Sequence, residues 1–187
     1  MKELSEMSNE ELWELFPIIL TEHNPEWQSL YMAEKQLLSD AAGECMLRIN
    51  HIGSTSVPGL IAKPTIDILM EIKEDTDPEI FIPKIESLEY IYTEQPGNPP
   101  PHMMFMKGYT NEGFKGQAFH LHVRYYGDWD ELYFCRYLCD HPDVARQYGE
   151  LKLDLKNKYE HDRDAYTRAK PEFIRNITHK ASDGRYL

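Results

Sequence analysis

The sequence of 187 residues has no long apolar run, few cysteines and few basic residues. No stretch of about 18 apolar residues and no basic-then-apolar leader is found, so we expect neither a membrane span nor export. The three cysteines, Cys45, Cys135 and Cys139, are too few and odd in number for a disulfide framework. The sequence therefore predicts a cytoplasmic protein without a membrane partner.

Basic residues are scarce relative to acidic ones, with 20 Lys and Arg against 32 Asp and Glu and a net charge of −12. Residues 1–114 hold 7 basic and 20 acidic side chains, whereas residues 115–187 hold 13 and 12. Such a chain offers no broad basic face for duplex nucleic acid, although a tRNA end stays open as a substrate. Local cations can still meet a small phosphorylated ligand, and the candidates are Lys63, Arg124, Lys152 and Lys170.

The content of 41% hydrophobic residues is enough for one substantial core. We predict a single domain over 1–187, with a helical extension over 1–17 and C-terminal helices over 128–181 packed on a sheet. Strands are predicted at 45–52, 65–72, 90–93, 102–107 and 117–126, and the proline-rich segment 96–101 is predicted as a loop. Helices are predicted from Ser8 to before Pro17 and at 24–43, 77–88, 130–140, 142–160 and 162–181. This pattern indicates an α+β fold.

The most informative stretch is residues 51–72, where a small polar turn is followed by a strand that carries an acid. Gly53 lets the backbone approach a ligand closely, while Ser54 and Thr55 offer hydroxyl and N–H groups of the kind that hold phosphate oxygens. The turn therefore predicts a phosphate-binding site.

Along the strand from Thr65, every second residue is apolar, and the residues between them are polar, acidic or apolar. Its apolar face comprises Ile66, Ile68, Met70 and Ile72, and its other face comprises Thr65, Asp67, Leu69 and Glu71. Asp67 thus points away from the apolar layer, where it would hold Mg²⁺ or another divalent cation against phosphates, or would cap the turn as a hydrogen-bonded acid. Glu71 is interpreted as a solvated strand end.

Two histidines, His120 and His122, share one face of a predicted strand with Arg124. Neutral imidazoles bind transition metals or act as bases, and protonated ones bond phosphate, so this face is expected to complete a pocket opposite Asp67. The alternative is that they are hydrogen-bonded structural residues. Lys63 either contacts a phosphate or is solvated, and His51, on a buried strand, is interpreted as structural.

The stretch from His51 to Asp67 resembles the GrpB family, small proteins assigned to the nucleotidyltransferase superfamily. The resemblance continues in His120-Leu-His-Val123 and in a dispersed C-terminal pattern, and covers roughly residues 18–181. That pattern comprises Phe134, Tyr137, Leu138, His141, Pro142, Tyr148, Leu151, Lys152, Tyr166, Lys170, Phe173 and Ile174.

The resemblance implies a nucleotidyltransferase-like mixed β-sheet with flanking helices, and a Gly-Ser turn beside a metal site. It places the histidines where such proteins commonly carry a third acid, and it singles out Lys152 and Lys170 among the basic residues. The usual second acid, two residues after Asp67, is here Leu69. Glu71 lies roughly 13 Å further along the strand, too far to replace it, so two-metal chemistry is in doubt.

Cys135, Cys139 and His141 have a spacing that suggests zinc, but no second ligand pair accompanies them, so buried thiols are predicted. By the same resemblance, the family usually has arginine in this region where this chain has cysteine. If those arginines bind an anion in relatives, the resemblance implies that this contact is either weakened here or relocated to Arg136.

The leading hypothesis is a nucleotidyltransferase-like protein that binds a nucleotide or related phosphate ligand through Gly53, Ser54 and Thr55. Asp67 would hold the cation and His120 or His122 would close the site, with nucleotidyl transfer to a small acceptor as the reaction. The first alternative is a non-catalytic ligand-binding or interaction module, linked to coenzyme A metabolism because some relatives are joined to dephospho-CoA kinase. A histidine-centred metal hydrolase is a third hypothesis, and the oligomeric state stays open.

Overall fold

The computed structural model describes residues 4–95, 97–98, 101–159 and 162–183. Pro96, Pro99 and Pro100 of the predicted loop lie outside the described residues, as does Glu160 at the end of a predicted helix. The strands are β1 (Met46–Ile52), β2 (Thr65–Ile72), β3 (Ile91–Thr93), β4 (Met103–Thr110) and β5 (Gly113–Tyr125). The helices are α1 (Asn9–Leu15), α2 (Glu26–Ala42), α3 (Pro78–Glu86), α4 (Asp130–Asp140), α5 (Pro142–Lys158), α6 (Arg163–Arg168) and α7 (Pro171–Asp183).

The five strands form one mixed sheet in the order β1-β2-β5-β4-β3. The β2 and β5 strands pair in parallel, and the other neighbours are antiparallel. The fold is therefore α+β, with a mixed sheet and flanking helices. The parallel pairing sets Asp67 beside His120 and Leu69 beside His122.

Both faces of β2 are covered. Its predicted apolar face is confirmed, since Ile66, Ile68, Met70 and Ile72 all join the main core cluster with side chains from α2 and α3. On the opposite face Leu69 is fully buried against Ile52, Cys135 and neighbouring side chains at the start of α4. Only the part of this second face around Asp67 is open to a cavity.

Local sequence signals account for the starts of α1 and α7. The Ser8 side chain accepts from the backbone N–H of Glu11, whose carboxylate accepts in return from Ser8, as the predicted capping box requires. The predicted last helix, 162–181, is instead two helices, because Pro171 has no N–H to continue α6 and opens α7 at its own first turn. None of the described helices has the length and apolar character needed to cross a membrane.

Glu71 is a buried ion-pair residue, so its interpretation as a solvated strand end is wrong. Its side chain is fully buried and accepts hydrogen bonds from Nε and Nη2 of Arg48, the latter at 2.8 Å, and from Gly127 N at 3.0 Å. The pairing of β1 with β2 brings Arg48 alongside Glu71. The segment after β5 then closes over the carboxylate.

Candidate functional site

A cavity of about 850 Å³ lies between the sheet and the C-terminal helices, within the size range of small-molecule sites. Its walls come from the turn after β1, from β2 and β5, and from α4 to α7. Eight of the predicted site residues line it: Gly53, Ser54, Lys63, Asp67, His120, His122, Lys152 and Lys170. The structure therefore brings together residues that the sequence spreads over 118 positions, from Gly53 to Lys170.

One end of the cavity holds Asp67, His120 and His122, which we call the acid–imidazole cluster. Asp67 Oδ1 lies 3.1 Å from Nδ1 of His120 and 3.7 Å from Nε2 of His122. Burial opposes ionisation of the acid, but hydrogen bonds and charge from the two imidazoles outweigh it and hold the pKa of Asp67 well below its usual range. An ionised carboxylate between two imidazoles is a set of ligands suited to a divalent cation.

Tyr109 supports this cluster from β4, and no sequence motif marks it. Its hydroxyl lies 2.7 Å from Nε2 of His120, and its buried ring stacks on the imidazole at 5.6 Å between centroids. The contact fixes the ring of His120 so that the other nitrogen, Nδ1, faces Asp67. The only signal that could have suggested Tyr109 is its place on the strand that pairs with β5.

Gly53 makes the close approach of turn and acid possible. Its backbone angles, φ 71° and ψ −176°, belong to a region that is essentially restricted to glycine. A Cβ added there would overlap the Asp67 carboxylate and lie 3.0 Å from both Cβ and Cγ of that residue. The turn can therefore sit directly against the acid only with glycine at this position.

Thr55 does not face the cavity, which corrects its prediction as a phosphate ligand. It is 2% exposed, and its hydroxyl lies 3.3 Å from the carbonyl oxygen of Thr65 and 3.0 Å from Nε2 of His51. The single 3₁₀ turn over Ser54–Ser56 points this side chain inward, so it anchors the turn. Burial lowers the pKa of His51 to about 4, and its neutral ring stacks on Tyr31, in line with a structural role.

The other end of the cavity holds Ser54, Lys63, Lys152 and Lys170, which we call the lysine end. Lys152 is 3% exposed, and its ammonium donates to Ser54 Oγ at 3.0 Å and to the carbonyl oxygen of Ile61. Burial, with added repulsion from Lys170 and Lys63, lowers the pKa of Lys152 to about 7. Lys63 and Lys170 lie over the ring of Tyr166, at 5.8 and 4.2 Å from its centroid.

Two arginines considered from the sequence lie outside the cavity. Arg124 donates to the carbonyl oxygen of Val123, and its guanidinium lies over Trp129, which follows β5 and covers this end of the strand. Arg124 therefore does not line the cavity with the other predicted site residues, and its role as a ligand-binding residue stays a prediction. Arg136 is largely exposed and lies 3.5 Å from the carboxylate of Asp140, and an anion contact at this residue stays a prediction.

The cysteines form no metal site with His141. Cys135 is buried as predicted and lines the cavity, whereas Cys139 is exposed, because its position on α4 faces away from the core. His141 Nδ1 lies 2.9 Å from the carbonyl oxygen of Tyr137. Among the described residues, Asp67, His120 and His122 form the one group of three or more acidic, histidine or cysteine side chains arranged to hold an ion.

Comparison with known proteins identifies relatives over most of the chain. A family model described as GrpB protein matches residues 17–180. UPF0157 protein PA4798 of Pseudomonas aeruginosa is 38% identical over 159 residues, and the match covers 84% of this chain and 65% of that protein. Glutamate-rich protein GrpB of Alkalihalophilus pseudofirmus is 33% identical over 164 residues, with 86% and 93% covered.

Among solved structures, the crystal structure of conserved protein GrpB from Enterococcus faecalis superposes with a TM-score of 0.79 at 30% identity. The match covers 90% of this chain and all of that chain. A dephospho-CoA kinase of Mycolicibacterium paratuberculosis is 25% identical over 195 residues, and 89% of this chain matches 46% of that enzyme. The chain thus spans about two thirds of the Pseudomonas protein and less than half of the kinase.

Proposed function

Since the chain belongs to the GrpB family, we propose that it binds a nucleotide or a related phosphorylated small molecule beside a divalent cation. The observation that carries this proposal is that one cavity holds both the lysine end and the acid–imidazole cluster. Cations suit the phosphate groups of such a ligand, and the cluster suits the metal ion that accompanies them. The proposal includes a nucleotidyltransferase-like arrangement, supported by the glycine turn against the strand acid.

The lysine end would receive the phosphate groups. Lys152 already donates to Ser54 from a buried position, so a phosphate oxygen entering there would gain a charge-assisted hydrogen bond in a site with little competing water. Lys63 and Lys170 line the same cavity and add positive charge. The cavity is also lined by Asp128, Asp130 and Glu131, so the positive charge belongs to the lysine end and not to the cavity as a whole.

The acid–imidazole cluster would hold one ion rather than two. The strand position that usually supplies the second acid is Leu69, and it is fully buried among apolar side chains. When bound, the ion would neutralise phosphate charge and favour attack at phosphorus. Asp67, His120 and His122 would orient it, while the apolar wall formed by Ile52, Phe134 and Ile174 would limit the entry of water.

Nucleotidyl transfer to a small acceptor is the reaction to test. An acceptor oxygen would form a bond to the α-phosphorus, the bond to the pyrophosphate oxygen would break, and the acceptor proton would pass to a base or to solvent. Release of pyrophosphate from nucleoside triphosphates with a divalent cation and a panel of acceptors is the expected result. The panel should include coenzyme A precursors because of the similarity to part of a dephospho-CoA kinase.

The same assay distinguishes a nucleotidyltransferase from a non-catalytic binding module. If nucleotides bind and stabilise the chain but no pyrophosphate or transfer product forms with any acceptor, the transfer reaction is contradicted. The non-catalytic module would then account for the cavity. Absence of binding to every phosphorylated ligand of the panel would contradict both.

Replacing Lys152 by methionine is expected to weaken binding of a nucleoside triphosphate about 10- to 50-fold, because one charge-assisted hydrogen bond is lost. Isothermal titration calorimetry would measure the dissociation constant of the nucleoside triphosphate for each variant. The matched control is Lys158→Met, which removes an exposed lysine from the same helix and should change the affinity less than about twofold. Equal effects of the two variants would contradict a phosphate contact at Lys152.

Nucleotide binding is also expected to depend on pH through Lys152. Because the pKa of Lys152 is lowered to about 7, its amine is mostly charged at pH 6 and mostly neutral at pH 8. Affinity should therefore fall as pH rises across this range, by at most about tenfold for one titrating group. The Lys152→Arg variant keeps its charge and should show a flatter profile. An unchanged slope in that variant would assign the pH dependence to another group or to the ligand.

A further inference from the structure

We infer that the ion at the acid–imidazole cluster is a transition metal such as Zn²⁺, Mn²⁺ or Fe²⁺, held by Asp67, His120 and His122. The inference deepens the proposed function and rests on it for the role of the ion. It assigns the class of metal ion, because the glycine turn and the single strand acid do not by themselves distinguish Mg²⁺ from other divalent cations.

The donor atoms decide the class of metal. Mg²⁺ prefers six oxygen ligands in near-octahedral geometry, whereas imidazole nitrogen suits zinc, iron and related metals. This cluster offers two imidazoles for a single carboxylate. Two histidines with one carboxylate are also the protein ligands of known zinc hydrolase sites and of non-haem iron sites.

The spacing of the three side chains fits one shared ion. Their candidate ligand atoms all lie within 4.8 Å of one another, and Asp67 Oδ1 lies 3.1 and 3.7 Å from the two imidazole nitrogens. Neighbouring ligands placed about 2.1 Å from one ion are separated by about 3.0–3.5 Å. Small rotations of the side chains would therefore be enough to surround it.

The residues around the cluster orient His120 in the way that neighbouring residues commonly orient a metal-binding histidine. Metal-binding histidines commonly use their second nitrogen to bond a fixed partner, and His120 Nε2 has this partner in the hydroxyl of Tyr109 at 2.7 Å. When Nδ1 binds metal, the hydrogen moves to Nε2, and the phenol oxygen can accept it. Because Asp67 and His120 are also register partners in adjacent strands, the backbone fixes their separation.

The cluster is open to a ligand on its cavity side. The side chains of Asp67, His120 and His122 are 28, 16 and 24% exposed and all line the cavity. Three protein ligands leave coordination positions for water or for a ligand oxygen, as in catalytic rather than structural metal sites.

The test is a metal titration of the tag-free, chelator-treated full chain without any nucleotide. We expect Zn²⁺ and Mn²⁺ to bind at least 100-fold more tightly than Mg²⁺ by calorimetry, and Co²⁺ to give visible absorption bands. Asp67→Asn and His122→Ala should each weaken Zn²⁺ binding at least 100-fold, and Tyr109→Phe about tenfold through loss of the supporting hydrogen bond. Circular dichroism would verify that each variant is folded.

Cys139→Ser is the matched control, because this exposed thiol is a potential zinc ligand away from the cavity, and its loss should leave affinity unchanged. Comparable affinities for Mg²⁺ and Zn²⁺, or Zn²⁺ binding that survives in both Asp67→Asn and His122→Ala, would overturn the inference. Because no nucleotide is present, this failure is distinct from failure of phosphate binding, which the Lys152 variants test.

Discussion

Replacing Gly53 by alanine is expected to lower the free energy of unfolding by about 3 kcal/mol and to disrupt the cavity. The backbone at this position lies in a region where non-glycine residues cost about 1–3 kcal/mol. The added methyl group would also overlap the carboxylate of Asp67. Since the residues of the acid–imidazole cluster are held by neighbouring strands, the carboxylate can move aside only by breaking its contacts to His120 and His122.

Urea denaturation of the Gly53→Ala variant would measure the loss of stability. Gly59→Ala is the matched control, because Gly59 also has a positive φ of 74° but no atom within 4 Å of an added Cβ. It should cost only the backbone strain, about 1 kcal/mol. In the double variant Gly53→Ala with Asp67→Ala, part of the loss should be recovered, since the overlap is relieved. Equal losses for Gly53→Ala and Gly59→Ala would show that contact with Asp67 does not constrain the turn.

Replacing Glu71 by alanine is expected to lower the free energy of unfolding by about 3 kcal/mol. The change leaves the guanidinium of Arg48 and the N–H of Gly127 without their shared acceptor inside the protein. Breaking a fully buried ion pair by removing one partner typically costs about 3–5 kcal/mol, and the lower end applies here because the Arg48 side chain is 31% exposed and keeps its hydrogen bond to the carbonyl oxygen of Gly127. The effect concerns stability alone, because Glu71 lies outside the cavity walls.

Denaturation curves of Glu71→Ala and Asp140→Ala would be compared. Asp140 pairs with Arg136 at 3.5 Å on the exposed surface of α4, with 67% of the arginine side chain and 46% of the aspartate side chain exposed. Such a pair contributes at most about 1 kcal/mol. If the two variants lost equal stability, burial would not be what makes the Glu71 pair important.

The sequence was most informative where a pattern of period two coincides with a sheet. Alternation in β2 correctly assigned Ile66 and Ile68 to the core and turned Asp67 away from it. The same rule put His120 and His122 on one face of β5, and parallel pairing with β2 brought that face to Asp67. These residues were predictable because strand geometry alone determines the direction of their side chains.

Other features depended on contacts that no local pattern contains. Alternation places Glu71 on the same face as Asp67. It gives no sign that Arg48 and Gly127 enclose Glu71, whereas Asp67 stays open to the cavity. The hydrogen bond between Lys152 and Ser54 joins residues 98 positions apart, and the family pattern selected Lys152 without indicating its burial. Alternation along β5 places Arg124 on the same face as His120 and His122. Its guanidinium nevertheless lies over the ring of Trp129, a residue that follows the strand.

The parallel pairing of β2 with β5 also bears on the order in which the protein folds. Asp67 and His120 are 53 positions apart, and the chain between β2 and β5 contains β3 and β4, which lie on the far side of β5 in the sheet. Strands far apart in the chain lose the entropy of closing the loop between them before they gain any stabilising contacts. Such pairing therefore forms slowly compared with helices and hairpins. A nascent chain emerging from the ribosome would lack the acid–imidazole cluster until β5 is made, and the complete cavity until α7 follows. Any ligand of this cavity would thus bind late, and would stabilise only chains that have already reached the native topology.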